Sequence, residues 1–230
     1  MKLFYHKLIG LLVLLFFSNL INAQDNGLEG WNSIGISAKI SDNLNIDLSQ
    51  HLRHKNDIND LDKYFTQVGF NVEVVKDLKL GGKVRFISDN DDQGNIQGIE
   101  SHFRYQFEIG YKRDIGIADM TFRARYQNKN QLGITDIAKE FFRFRVGLNY
   151  RIKPIKSLFK IEGEIYNQLS DHNEEKGWNL YRLTYKLDFN LKGPNVLGVF
   201  YRTQQDIDRI IPVSREIVGL KYVRKFNFTK

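Results

Sequence analysis

An up-and-down antiparallel β-barrel that crosses a membrane is the fold class this sequence predicts, and three observations predict it. Residues 141–152 alternate: Phe142, Phe144, Val146, Leu148, Tyr150 and Ile152 are apolar, with Arg143, Arg145, Gly147, Asn149 and Arg151 between them. Successive side chains of a strand point to opposite faces, so this is a strand with one apolar and one charged face, at period two and not the 3.6 of a helix. The same pattern recurs in eleven segments. Most are about twice the ~5–6 residues usual in soluble sheets, and they meet the ~9–11 residues a tilted membrane strand needs. Finally, short turns alternate with longer polar loops, the asymmetry of bacterial outer-membrane barrels.

The N-terminus reads as an export signal. Lys2 and Lys7 precede an apolar run from Leu8 to Phe17, and Ala23 marks a cleavage site before Gln24. The run is too short for a membrane-spanning helix of ~20 residues. Residues 1–23 are therefore expected to be a signal peptide, the alternative being a retained anchor, and 24–230 a single barrel domain. The chain has no cysteine, which rules out disulfides and lipid attachment at a processed Cys. Its formal charge of +7 is spread along the strands. No basic patch of the kind nucleic acid requires is visible, whereas weak attraction to anionic headgroups suits this distribution.

The segments run in order. The first is Trp31–Ile40, with Ile34, Ile36, Ala38 and Ile40 in phase, and Ser41-Asp42-Asn43 turns it into Leu44–His54. A polar loop over 55–62 leads to Tyr64–Val74, and Lys76-Asp77 turns into Leu78–Ser88. After the polar stretch 89–98 the longest segment places Ile99, Phe103, Tyr105, Phe107, Ile109 and Tyr111 on one face. Residues 113–116 turn into Ala118–Asn128, followed by the 141–152 strand. Lys153 to Ser157 lead into Leu158–Asn167, loop 168–177 into Trp178–Asn190, and residues 192–195 into Val196–Gln204. The last segment is Arg215–Phe228. Pro154, Pro194 and Pro212 all fall in connections, as strand pairing demands.

Hairpin registers follow from the turn centres. A centre at 115.5 sets Glu108 opposite Arg123, Lys112 opposite Asp119 and Phe107 opposite Ala124. A centre at 154.5 sets Arg145 opposite Glu164 and Arg143 opposite Tyr166, and a centre at Gly193 sets Tyr185 opposite Tyr201 and Leu187 opposite Val199. These pairings keep apolar faces together and oppose unlike charges. Eleven segments conflict with the even strand number usual in bacterial barrels. A missed strand, a misassigned segment or a first segment outside the wall would each resolve it, giving ten to twelve strands.

Export, strand length and aromatic residues near strand ends (Trp31, Tyr64, Tyr111, Tyr126, Tyr150, Trp178, Tyr222) favour a barrel with its apolar face toward lipid. A sheet in lipid must close, because unpaired backbone groups there are costly. The aromatic tail, with Phe226 and Phe228, is similar to the C-terminal signal read by the barrel assembly machinery, although Thr229 and Lys230 follow it. The expected partners are outer-membrane lipid and that machinery.

Several strand patterns carry a family resemblance: Leu52-Arg53, Phe142-Arg143-Phe144-Arg145, Gly163-Glu164-Ile165, Asn179 with Arg182, Leu183 and Tyr185, and Tyr201-Arg202-Thr203-Gln204. In these the chain resembles domain-of-unknown-function family 2490, bacterial proteins regarded as outer-membrane barrels. The resemblance implies fold and location, and no activity.

No catalytic constellation stands out. Ser101 and His102 are adjacent in a strand and point to opposite faces. Ser170, His172 and Glu174 share a charged loop, which preorganises a nucleophile poorly. Asp89, Asp91 and Asp92, like Asp57, Asp60 and Asp62, lack the spacing of a calcium loop, and the histidines lack zinc spacing, so no cofactor or metal is expected. The strongest candidates are ten charged residues in phase on the polar face: Arg104, Glu108, Arg123, Arg125, Arg143, Arg145, Glu162, Glu164, Arg182 and Arg202. They form either a plug of paired charges or an anion-selective path. The expected function is thus structural or porin-like passive transport. The alternatives are a lipid-modifying enzyme that uses His172 and a soluble periplasmic ligand-binding barrel.

Overall fold

A computed structural model describes residues 27–91, 97–134, 138–170, 176–207 and 212–229. They form a closed barrel of eleven strands. These are β1 (Leu28–Lys39), β2 (Leu44–Lys55), β3 (Asp60–Val75), β4 (Leu78–Asp91), β5 (Gly98–Asp114), β6 (Ala118–Gln131), β7 (Lys139–Ile152), β8 (Ser157–Ser170), β9 (Gly177–Asn190), β10 (Asn195–Asp206) and β11 (Ser214–Asn227). A 3-10 turn, Lys153–Ile155, starts the β7–β8 connection at Pro154, and Lys156 (φ 48°) completes it in the left-handed region. Among the described residues no helix is long and apolar enough to cross a membrane.

Each strand pairs with its sequence neighbours, antiparallel throughout. The registers expected at two hairpins hold: Arg145 faces Glu164, Arg143 faces Tyr166, Tyr185 faces Tyr201 and Leu187 faces Val199. The β5–β6 register is different. Glu108 faces Arg125 and not Arg123, Lys112 faces Thr121 and not Asp119, and Phe107 faces Tyr126 and not Ala124. The cause is the turn. Gly116 adopts φ 89°, which suits glycine. Its N–H donates to Asp114 Oδ1 (2.7 Å) while Ile115 N–H donates to the Ala118 carbonyl (2.9 Å). The hairpin is thereby centred one residue later than assumed, which moves every pair by two.

The odd strand count is resolved by the closure. All eleven segments join the wall, and β1 pairs with β11 in parallel, from Leu28 opposite Glu216 to Lys39 opposite Asn227. An even number is required only if the closing pair is antiparallel. Where the ladder breaks, the Leu220 N–H donates to the Asn32 side-chain oxygen (3.3 Å). Gly219 lies beside that break. A Cβ there would collide with the Trp31 carbonyl oxygen and the Phe200 ring.

The faces are inverted relative to a soluble barrel. Among the described residues thirty-six large apolar side chains are exposed and five buried, while thirteen buried residues are polar or charged. Ile34, Phe86, Phe107 and Phe144 point outward, whereas Arg125, Arg143, Glu162 and Glu164 are each under 9% exposed. Backbone pairing and interior polar contacts, not an apolar core, hold the fold together.

Candidate functional site

Nine of the ten charged residues singled out from the strand phase line a cavity of about 630 Å³ inside the barrel. The tenth, Glu108, lines a second cavity of about 370 Å³ with Arg123 and Arg145. Strand alternation places them there, since Arg104, Glu108, Arg123, Arg125, Arg143, Arg145 and Arg182 each sit between two apolar or aromatic residues, and Glu162, Glu164 and Arg202 continue the same phase on β8 and β10. Three glutamates tie the set together. Glu164 accepts from Arg143 Nη2 (2.8 Å), from Arg123 Nη2 and from the Tyr166 hydroxyl (3.2 Å), with Arg182 Nη1 at 3.7 Å. Glu162 holds Lys186 Nζ (2.6 Å) and Arg145 Nη1 (3.0 Å). Glu108 accepts from Lys83 Nζ and Arg125 Nε (both 2.9 Å), with Arg123 Nη1 at 3.8 Å. Arg145 thus forms its ion pair with Glu162, although Glu164 lies directly across from it.

These carboxylates relieve an arrangement that is unfavourable in itself. Like charges face each other across neighbouring strands at Arg123 and Arg145, Arg125 and Arg143, Lys160 and Lys186, Arg85 and Arg104, and Arg104 and Lys129, and such pairs are destabilising. Lys160 is matched by Asp188 (2.6 Å), and Lys129 by Asp89 (3.3 Å). Arg85 and Arg104 have no carboxylate within ion-pair distance among the described residues. In all, the larger cavity's lining carries fourteen Lys and Arg side chains against three carboxylates.

Aromatic rings support part of this charge. The Arg53 guanidinium lies 3.5 Å from the Trp31 ring centroid and 5.0 Å from that of Phe65, and Arg85 lies 4.5 Å from Phe65. Stacking of this kind holds a guanidinium plane and leaves its N–H edge free to bond. His51 stacks on Phe65 at 4.4 Å, with its Nε2 at 2.9 Å from Ser49 Oγ. Trp31 therefore does not belong to an outer aromatic girdle as expected, because it is out of phase with Ile34, Ile36 and Ala38 and faces the cavity. Trp178, Tyr64 and Tyr111 are exposed.

Arg53, Arg85, Lys83 and Lys186 were not among the ten charged candidates, Arg53 having entered only through the family resemblance. The signal was present, since Arg85 lies between Val84 and Phe86, and Arg53 follows Leu52. Phe65 had no such signal, because its neighbour Tyr64 is also aromatic.

The remaining candidates separate. Ser101 is exposed and His102 buried, on opposite faces. Ser170 ends β8 and donates to the Ala138 carbonyl (2.8 Å), while His172 and Glu174 lie outside the described residues. Asp89 is occupied by Lys63 (2.8 Å) and Lys129, and Asp92 lies outside the described residues. Asp57 accepts the Leu28 N–H (2.8 Å), Asp60 accepts from Asn56 (2.8 Å), and Asp62 pairs with Lys63 (3.3 Å).

The family described as "Protein of unknown function (DUF2490)" matches residues 28–209, a span that takes in β1 to β10. The chain belongs to the DUF2490 family. In this DUF2490 protein the closing strand β11 lies beyond the matched span, while nearly the whole cavity wall lies within it. No curated protein matches the chain.

Proposed function

We propose that this protein is an exported outer-membrane β-barrel whose Arg-rich interior holds or passes small anions without chemical turnover. The inverted barrel carries this reading: an apolar outer wall closed around fourteen basic side chains. In water an exposed surface with so many large apolar residues would associate. In a bilayer it is the solvated face, and closure leaves no unpaired edge. Residues 1–23 serve as the export signal, and the aromatic end of β11, where Phe226 stacks on Phe228 at 6.3 Å, serves as the mark for the assembly machinery. An excess of interior cations favours anions along the axis.

Fractionation and heat-modifiable migration on a detergent gel test the membrane assignment, and a water-soluble mature chain would refute it. Planar-bilayer recording of the refolded protein tests the interior, with anion-selective steps expected. A second reading, a structural barrel closed by its own ion pairs, is favoured by the Glu164 cluster, which draws together side chains from β6, β7 and β9. Silent bilayers would select it.

A further inference from the structure

We infer that Arg53, Arg85 and Arg104 form a binding site for a phosphoryl group on the cavity wall. The inference rests on the reading of the interior as open to anions, and it names what that interior recognises. Arg85 and Arg104 oppose each other directly across β4 and β5. Arg53 and Arg85 both lie within 5.0 Å of the Phe65 ring centroid, so the three guanidiniums belong to one neighbourhood. Everywhere else on this wall where like charges face each other, a glutamate or aspartate lies between or beside them. Here none does. Arg53 itself has no carboxylate within ion-pair distance among the described residues, and the nearby Glu29 and Asp62 have other partners. Glu29 is engaged by Trp31 Nε1 (2.8 Å) and Arg215 (3.7 Å), and Asp62 by Lys63 (3.3 Å).

The donors of this group are also only partly used. Arg85 Nε donates to Gln67 Oε1 (2.5 Å). Arg104 Nε is buried without a hydrogen-bond partner among the described residues. On the same inward face, next but one along β5, Gln106 is 2% exposed and neither of its amide atoms has a partner. Buried donors left unbonded are costly. A tetrahedral oxyanion supplies what is missing: negative charge between opposed arginines, and several acceptor oxygens for forked donors whose planes Trp31 and Phe65 hold in place. The three cations favour a doubly charged phosphate over a single carboxylate, and the cavity volume accommodates a small phosphorylated molecule. A free phosphorylated solute and the phosphorylated headgroup of a glycolipid share this chemistry.

The test uses the full mature chain refolded in a non-ionic detergent, with folding checked first by heat-modifiable migration. A barrel that fails that check refutes the membrane reading, whereas a folded barrel that ignores phosphate refutes only this site. Inorganic phosphate is titrated calorimetrically at low chloride. Saturable binding is expected, weakened at least tenfold by Arg85→Gln and by Arg104→Gln and unchanged by Arg113→Gln, which removes an exposed charge. Melting provides a second readout. Phosphate should raise the wild-type midpoint but not that of the variants, and in phosphate-free buffer Arg104→Gln should melt above wild type because a repulsion is gone. Absent binding, or equal binding by wild type and both interior variants, overturns the proposal. Competition by a soluble sugar phosphate points to free solutes, and competition only by a phosphorylated glycolipid in micelles points to headgroups. Both support the site.

Discussion

Replacing Glu164 by glutamine tests whether interior ion pairs brace the barrel. The carboxylate is 6% exposed and faces Arg123, Arg143 and Arg182. Glutamine keeps its volume and one acceptor oxygen, so no cavity forms and one hydrogen bond survives. What disappears is the counter-charge for three guanidiniums. Removing one member of a buried pair costs about 3–5 kcal/mol, and the retained hydrogen bond offsets about 1 kcal/mol. The expected loss is therefore about 2–4 kcal/mol. Unfolding slopes of about 1–3 kcal/mol per molar urea turn this into a midpoint lower by roughly a molar or more, read by tryptophan fluorescence of the detergent-refolded barrel. Glu73→Gln, at an exposed pair with Lys79 (3.2 Å), serves as the control and should leave the midpoint in place. A Glu164→Gln loss below about 1 kcal/mol would refute the reasoning, because it would mean that water inside the barrel screens these charges.

Other substitutions probe the wall. Phe144→Arg puts a charge on the outward face and should cost about 2–4 kcal/mol of folding into vesicles if that residue lies near the bilayer midplane. An unchanged folded fraction would argue against a lipid-facing wall. Gly219→Ala should lower the heat-modifiable fraction, because its methyl collides at the β1–β11 seam, whereas Gly163→Ala meets nothing within 4 Å and should fold normally. In a Trp178→Phe background, Trp31 is the remaining tryptophan, and its emission is read with excitation at the red edge that spares tyrosine. Iodide should quench it more steeply than neutral acrylamide, and added salt should narrow the difference, as expected of an anion drawn to fixed positive charge. Equal quenching by the two would count against a cation-rich interior.

How much was legible in the sequence depended on whether alternation alone decided the matter. It did for β7, where Phe142 to Ile152 set which side chains face in, and the same phase places all ten charged candidates. It also sufficed at the β7–β8 and β9–β10 hairpins. It did not suffice at β5–β6, where charge matching favoured a turn one residue too early and only the backbone shape at Gly116 decides. The parallel closure was hidden for a different reason: it joins segments at opposite ends of the chain, and no local signal records which strands meet last. Trp31 was misplaced because a residue type was allowed to outweigh its phase. Of the phosphoryl-site arginines, Arg104 was read correctly from its phase, whereas Arg53 and Arg85 were passed over although Arg85 shows the same alternation between Val84 and Phe86.

The parallel seam also shapes the route by which the barrel forms. Ten of its eleven junctions join consecutive strands, so each can form by local zipping. The eleventh bridges 188 positions. In a disordered chain, closing that span costs about 2–3 kcal/mol more than closing a ~10-residue hairpin, so it is the contact expected to form late. Until it forms, β1 and β11 are open edges able to pair with strands of another molecule. The same late step unites a ladder broken by a side-chain bond with a glycine whose Cβ would collide with backbone and ring alike. Completion of the wall and avoidance of linked, misassembled copies therefore depend on the same few residues, Asn32, Trp31 and Gly219.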